Sequence, residues 1–372
     1  MRKIILLVVI CFSMCKQKPQ SNDIIFVDMD QPEKASLFDY FSSIELIPLE
    51  TSQDVLIAAI SKIIFLDGKY YTHDPLQSII HVFDHTGKFI FKIDKKGKGP
   101  GEYSHIEDFI INPFSNNFEL LEAYGSVHLY DLSGVYIESK RVTYPDFGAV
   151  HKIAVVDRNT HVFFAMFEPK KIVYFNLDEK KLLNEEFEED RNITRLAGRL
   201  FYQYHGDCYF SRPIHPIVYK IGSNQLEPAF QFDFGKYTRE GTKGIFSEES
   251  KRNSKKYFEE LFAQFPYVLR TVRHNDKYVM AVVARTDLFN NRDIVIYEKN
   301  KKKSKFISEF TEKVKFDMDI VTDEYVLRSC QWVDLEDYVS KEMLDDKNIE
   351  VFEKLLQAKM ELNPILIKYW FK

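Results

Sequence analysis

The chain has 372 residues, enough to bury a large core, and it is 45% hydrophobic and 15% aromatic with only 14 Gly. That composition excludes a disordered, collagen-like or low-complexity polypeptide, and a net charge of −5 argues against a general nucleic-acid binder. Four Cys are too few for a disulfide scaffold, and no apolar stretch reaches the length that crosses a bilayer as a helix.

The N-terminus opens with Met1-Arg2-Lys3, continues uncharged from Ile4 to Phe12, and ends on Ser13-Met14-Cys15. A basic start, a short apolar run and small residues before a Cys describe a secretory signal. Residues 1–14 are therefore read as a signal peptide, Cys15 as the lipid attachment point, and 15–23 as a polar tether. An ordinary signal cut a few residues away is the alternative. The membrane partner is then the lipid itself. Lys16-Gln17-Lys18 is basic, which favours an outer-membrane anchor facing the periplasm, with surface exposure left open. In the mature chain Cys208 and Cys330 read as two unpaired buried thiols.

Residues 24–372 carry a repeat. Ile79 to Phe89 and Ser126 to Tyr136 are both alternating strands broken by Asp-x-x-Gly, which fits a tight hairpin turn. Degenerate copies lie at Val173–Leu182, Val218–Leu226 and Ile294–Ile307. A second series of turns precedes these: Asp67-Gly68, Asn116-Asn117, Arg158-Asn159, Gly206-Asp207, Asn275-Asp276 and Asp323-Glu324. Six units at roughly 40–50 residues match four-stranded propeller blades. The expected fold is all-β, a six-bladed β-propeller with two small helical insertions. The first helix falls within Ser247 to Phe265, with Tyr257, Leu261, Phe262 and Phe265 on one face. The second falls within Asn348 to Met360, and Ile365 to Phe371 reads as a closing strand.

The segment from Gly97 to Tyr103, Gly-Lys-Gly-Pro-Gly-Glu-Tyr, is the most distinctive local sequence. With Leu49-Glu50-Thr51, Leu56 to Ile63 and Phe83 to Phe89, it resembles the six-bladed β-propeller lipoproteins of Gram-negative bacteria, related in architecture to NHL-repeat proteins. Glu361 to Leu366 is similar to that family's closing segment. The resemblance implies a fold and an exported location, and no common activity.

Consecutive glycine amides beside Lys98 could form an anion-binding nest. Equally, Gly99, Pro100 and Gly101 could shape an inter-blade crossover that Glu102 pins. If a ligand site exists it should lie at the channel mouth, and Lys98, Glu102, Tyr103 and His105 are the ligand-binding candidates. No catalytic residue is assigned. No metal ligand set is assigned, because the ten His show no tight pairs. No cofactor is predicted. Asp28-Met29-Asp30 and Asp317-Met318-Asp319 leave a channel calcium or other divalent cation open.

The expected function is a ligand- or protein-binding module, with an unknown glycan or protein as partner. One alternative is a metal-dependent hydrolase or lyase acting on glycans or lactones. Another is a structural subunit of an envelope complex, presenting an apolar patch near Tyr257 and Phe262.

Overall fold

The computed structural model describes residues 23–142, 149–166, 168, 170–188, 199–238, 247–250, 252–285, 292–358 and 361–372. The signal segment, Cys15 and the tether up to residue 22 lie outside the described residues.

Six sheets follow one another around an axis. Blades I to V are consecutive four-stranded antiparallel meanders over 62–93, 108–141, 150–188, 201–233 and 268–310. Blade VI joins the two ends of the chain. Its inner strands are Ile320–Val321, Tyr325–Cys330 and Ile365–Phe371, and its outer strand is Phe41–Pro48, paired antiparallel from Ile365↔Pro48 to Phe371↔Phe41. The protein is a six-bladed β-propeller, as the repeat spacing predicts.

The middle strands of the blades are apolar almost throughout, because each is covered on both faces by neighbouring blades. Tyr278–Ala284 and Thr160–Ala165 are buried at every position. Outer strands mix buried and exposed positions, as in Lys303–Phe310, since part of their surface meets solvent. Blades I and II pack through Tyr71, Val82, Phe109, Phe118 and Tyr130. Blades VI and I pack through Ile47, Tyr70, Phe83, Leu327 and Leu366, so the ring is sealed by the same kind of contact.

The Asp-x-x-Gly turns repeat down to the atom. Asp84 Oδ1 accepts from the amides of Thr86 and Lys88 at 2.8 and 3.0 Å, and Asp131 Oδ1 does the same with Ser133 and Val135 at 2.9 and 3.0 Å. Gly87 sits at φ +87°, and a Cβ there would meet the Pro48 carbonyl oxygen at 2.3 Å. The blade I hairpin thus presses directly on the outer strand of blade VI, an approach that no side chain at position 87 would permit.

Two buried asparagines latch the closure. Asn363 accepts from the Ile57 amide at 2.8 Å and donates to the Glu50 and Val55 carbonyls at 2.7 and 2.8 Å. Asn348 accepts from the Leu46 amide at 2.9 Å, tying the second helix to the outer strand of blade VI.

The α-helices among the described residues are α1 (Ser254–Gln264), which Asn253 caps and so starts later than the expected segment, and α2 (Asp346–Leu356), which, capped by Asp345, starts two residues ahead of the expected segment and ends at Leu356. On α1, Tyr257, Leu261 and Phe265 are buried against Ile214, Val268 and Ala284. Of the expected apolar patch, Tyr257 is thus covered by the protein's own blades and Phe262 is half-buried against them. Two details depart from the sequence reading. The blade IV turn is centred on His205-Gly206, at φ +49° and +81°, one residue earlier than expected. Residues Asp23–Phe26 and Glu33–Ala35 form extra parallel strands on the outer edges of blades IV and V. Cys208 and Cys330 are buried free thiols in blades IV and VI.

Candidate functional site

The innermost strands of all six blades enclose a cavity of about 660 Å³ on the propeller axis. Charged side chains cluster where these strands begin: Lys62 in blade I, Asp108 in II, Lys152 in III, Arg199 just before IV, Arg270 in V, and Asp317 and Asp319 just before VI. Arg273 and Arg328 complete the charged lining. Phe201, Ile320, Ile64 and, from α1, Phe258 supply apolar wall.

Within the cavity the carboxylates are engaged. Asp108 receives Lys62 Nζ at 3.0 and 3.2 Å and the Ile153 amide at 3.1 Å. Burial pushes its carboxyl up, but Lys62, Lys152 and that amide outweigh burial and leave it below the usual range. Asp317 is buried beside Arg292 at 3.4 Å and Arg328 at 3.9 Å. Burial opposes its ionisation, yet Arg328, Arg199 and Arg292 hold its carboxyl down at about 2. Asp319 pairs with Arg199 and, at 3.5 Å, with Arg328, and takes the Ser329 amide and hydroxyl at 2.6 and 2.7 Å. The Asp-x-Asp pair thus does reach the channel, where its oxygens face guanidinium groups. Asp28 and Asp30 lie elsewhere, Asp30 accepting from Tyr237 Oη at 2.6 Å.

Arg273 donates to the carbonyls of Asp319 and Val272 at 3.1 and 2.7 Å and lies 4.8 Å from the Tyr202 ring centroid. Burial, with Arg199 nearby, pulls its guanidinium down to about 10. Cys208 also lines the cavity, and burial pushes its thiol up to about 11, which keeps it protonated and a poor nucleophile.

The four expected ligand-binding residues do not line this cavity. The Gly97–Tyr103 loop crosses from blade I to blade II against the second blade's outer strands. Tyr103 is buried, its hydroxyl donating to the Ile93 carbonyl at 3.0 Å, and burial raises that hydroxyl to about 12. Glu102 accepts from the Gly99 amide at 2.7 Å, filling with its own carboxylate the place an anion would take in a nest. Lys98 is exposed, and exposed His105 bonds Ser78 Oγ through Nδ1 at 2.7 Å. Gly101, at φ +75°, accepts at its carbonyl from Tyr130 Oη at 2.6 Å, and a Cβ there would fall 2.6 Å from the Tyr136 ring. The Gly101→Ala variant is expected to lose about 2–4 kcal/mol of stability, measured by urea unfolding, with ligand affinity of the residual folded protein unchanged.

The turns that follow the innermost strands lie at the opposite end of the channel. There His205, Asp276 and Asp323, one from each of blades IV, V and VI, bring ligand atoms within 4.8 Å of one another. These are the described residues that could hold a metal ion. They also satisfy each other: His205 Nε2 lies 2.9 Å from Asp323, and Tyr204 Oη lies 2.9 and 2.6 Å from Asp276 and Asp323. Sequence reasoning missed this trio and the channel cations. The usable signal was position, since all three occupy the same turn of successive blades.

Residues 22–369 match a family described as a domain of unknown function, DUF4934. The chain belongs to the DUF4934 family. Among solved structures, this DUF4934 chain is similar to a candidate exported protein from Bacteroides fragilis, with 16% identity, a TM-score of 0.69, and 94% and 99% of the two chains covered. It is also similar to a DUF4221-family member from Bacteroides vulgatus, with 11% identity, a TM-score of 0.54, and 89% and 97% covered. At such identities the likeness shows the propeller fold. No curated protein matches the DUF4934 chain.

Proposed function

We propose that this protein is an exported, lipid-anchored binding module that holds a small ligand on the propeller axis. The observation that carries the reading is the axial cavity of about 660 Å³, within the size range of small-molecule sites and built from all six blades. Its polar groups are cations and ion pairs positioned on rigid strands, an arrangement suited to recognition. The Cys208 thiol in its wall is held protonated, which favours binding over covalent chemistry. Export is supported by the signal-like N-terminus and by the description of the Bacteroides fragilis neighbour as a candidate exported protein. Cys15 is the proposed lipid site, anchoring the domain in the outer membrane on its periplasmic side.

The experiment is a thermal-shift panel of neutral and acidic oligosaccharides, peptides and divalent cations, run beside the Gln203→Trp variant. Gln203 is exposed on the innermost strand of blade IV and lines the cavity, so the indole fills it. A ligand at about 100 times its Kd adds roughly 2.7 kcal/mol, a visible shift, and that shift should vanish in the variant. Shifts that persist in Gln203→Trp would place the ligand elsewhere and sink the reading.

A further inference from the structure

Six cationic side chains line the axial cavity, Lys62, Lys152, Arg199, Arg270, Arg273 and Arg328, against three carboxylates, in a chain whose net charge is −5. Positive charge is concentrated on the axis of an acidic protein. The three carboxylates cannot neutralise the excess, because each is already committed to partners named above.

Two of the cations lack a direct ion pair with any described residue. Lys152 is half-buried at the start of the blade III inner strand, and its ammonium makes no hydrogen bond or ion pair with any described residue. Arg273 is buried and makes no ion pair with a described residue, only bonds to two carbonyls and a contact with a tyrosine face. Cations held in this way, without a directly bonded counterion, gain from an oxyanion in the space between them. The apolar wall formed by Phe201, Ile320 and Phe258 calls for carbon as well as charge.

We infer that the axial cavity binds a small organic anion, an oxyanion carried on a carbon skeleton, with the acid group held between Lys152 and the arginines of blades V and VI. This rests on the proposed binding function and names its ligand class. Lys152 supplies a point charge and the guanidinium groups supply forked donors, so carboxylates and phosphate esters share the required chemistry. A salt-dependent affinity follows, because part of the attraction is screened.

The test is isothermal titration of the purified protein with trigalacturonate, its methyl ester, citrate, glucose 6-phosphate and glucose, at low and high NaCl. Wild type is expected to bind at least one acidic probe at least tenfold more tightly than the neutral ester or glucose, and more weakly in high salt. Trigalacturonate against glucose 6-phosphate separates the two sources of oxyanion. In Lys152→Met that affinity should fall at least tenfold while the melting temperature of the empty protein holds or rises, since an unpaired cation has been removed. Lys152→Gln, which keeps a polar head without charge, should lose affinity in the same way. Equal binding of acidic and neutral probes, abolished by Gln203→Trp, would overturn the anion inference and leave the axial site standing. Acidic probes that bind Lys152→Met and Gln203→Trp as tightly as wild type would overturn both. No heat with any acidic probe would overturn the anion inference.

Discussion

Acidification from pH 7 to pH 5 is expected to remove about 5–6 kcal/mol of folding stability, the size of a whole domain's margin in many proteins. Three buried histidines cause it. Burial holds the His73 and His81 imidazoles down at about 4 and His274 at about 3. Lys152 and Lys62 oppose the charge on His73, and Lys299 and Arg273 oppose it on His274, while Asp108 and Asp276 favour it without prevailing. Each imidazole is neutral in the folded protein and titrates near 6.5 once exposed. The unfolded chain therefore binds more protons between about pH 6.5 and pH 4, and stability falls as pH falls through that window. Each histidine contributes about 2 kcal/mol between pH 7 and 5. Urea midpoints measured across that range should drop steeply. His81 stacks near Phe83 with its Nδ1 unpartnered, so His81→Phe keeps the ring, removes the proton site and should flatten the slope by about a third. A midpoint constant from pH 7 to 5 would mean that these imidazoles take up protons within the folded blades.

The fold was legible because propeller blades write themselves twice. The Asp-x-x-Gly hairpin needs a carboxylate to cap its own amides and a glycine to pass a neighbouring strand, so Asp84-to-Gly87 and Asp131-to-Gly134 stand out as copies. Blade order and the closing strand at Ile365–Phe371 then followed from spacing. The parallel strands Asp23–Phe26 and Glu33–Ala35 escaped notice, since such short segments take their conformation from the blade edges they meet and not from any local pattern. The expected ligand-binding residues lie away from the axial cavity for a different reason. Gly97 to Tyr103 is distinctive because backbone geometry demands it: Gly101 must clear Tyr136, and Glu102 must fit against Gly97 and Gly99. A conspicuous motif was solving a packing problem. The channel cations are scattered from Lys62 to Arg328, each one ordinary in its own window, and only the closed ring brings them together.

Asp317 tests whether that ring of charge is held by its carboxylates. The side chain is 4% exposed, receives Arg292 and Arg328, and bonds Thr271 Oγ1 at 3.3 Å. Replacing both partners of such a pair by hydrocarbon can be neutral, but removing one strands the other's charge in a desolvated site. Asp317→Ala should therefore cost about 3–5 kcal/mol in urea unfolding. Asp108→Ala should cost less, because the Lys62 side chain is 24% exposed and its flexible ammonium can turn toward water in the cavity. Asp317→Asn separates shape from charge: it preserves the volume and an acceptor for the Met318 amide yet leaves Arg292 and Arg328 short of a counterion. If charge dominates, the Asn variant loses nearly as much as Ala, and citrate restores more stability to either variant than to wild type, since an added anion replaces the missing carboxylate. If Asp317→Ala unfolds within about 1 kcal/mol of wild type, the guanidinium groups find solvent on their own, and the cavity is wetter and less electropositive than its lining implies.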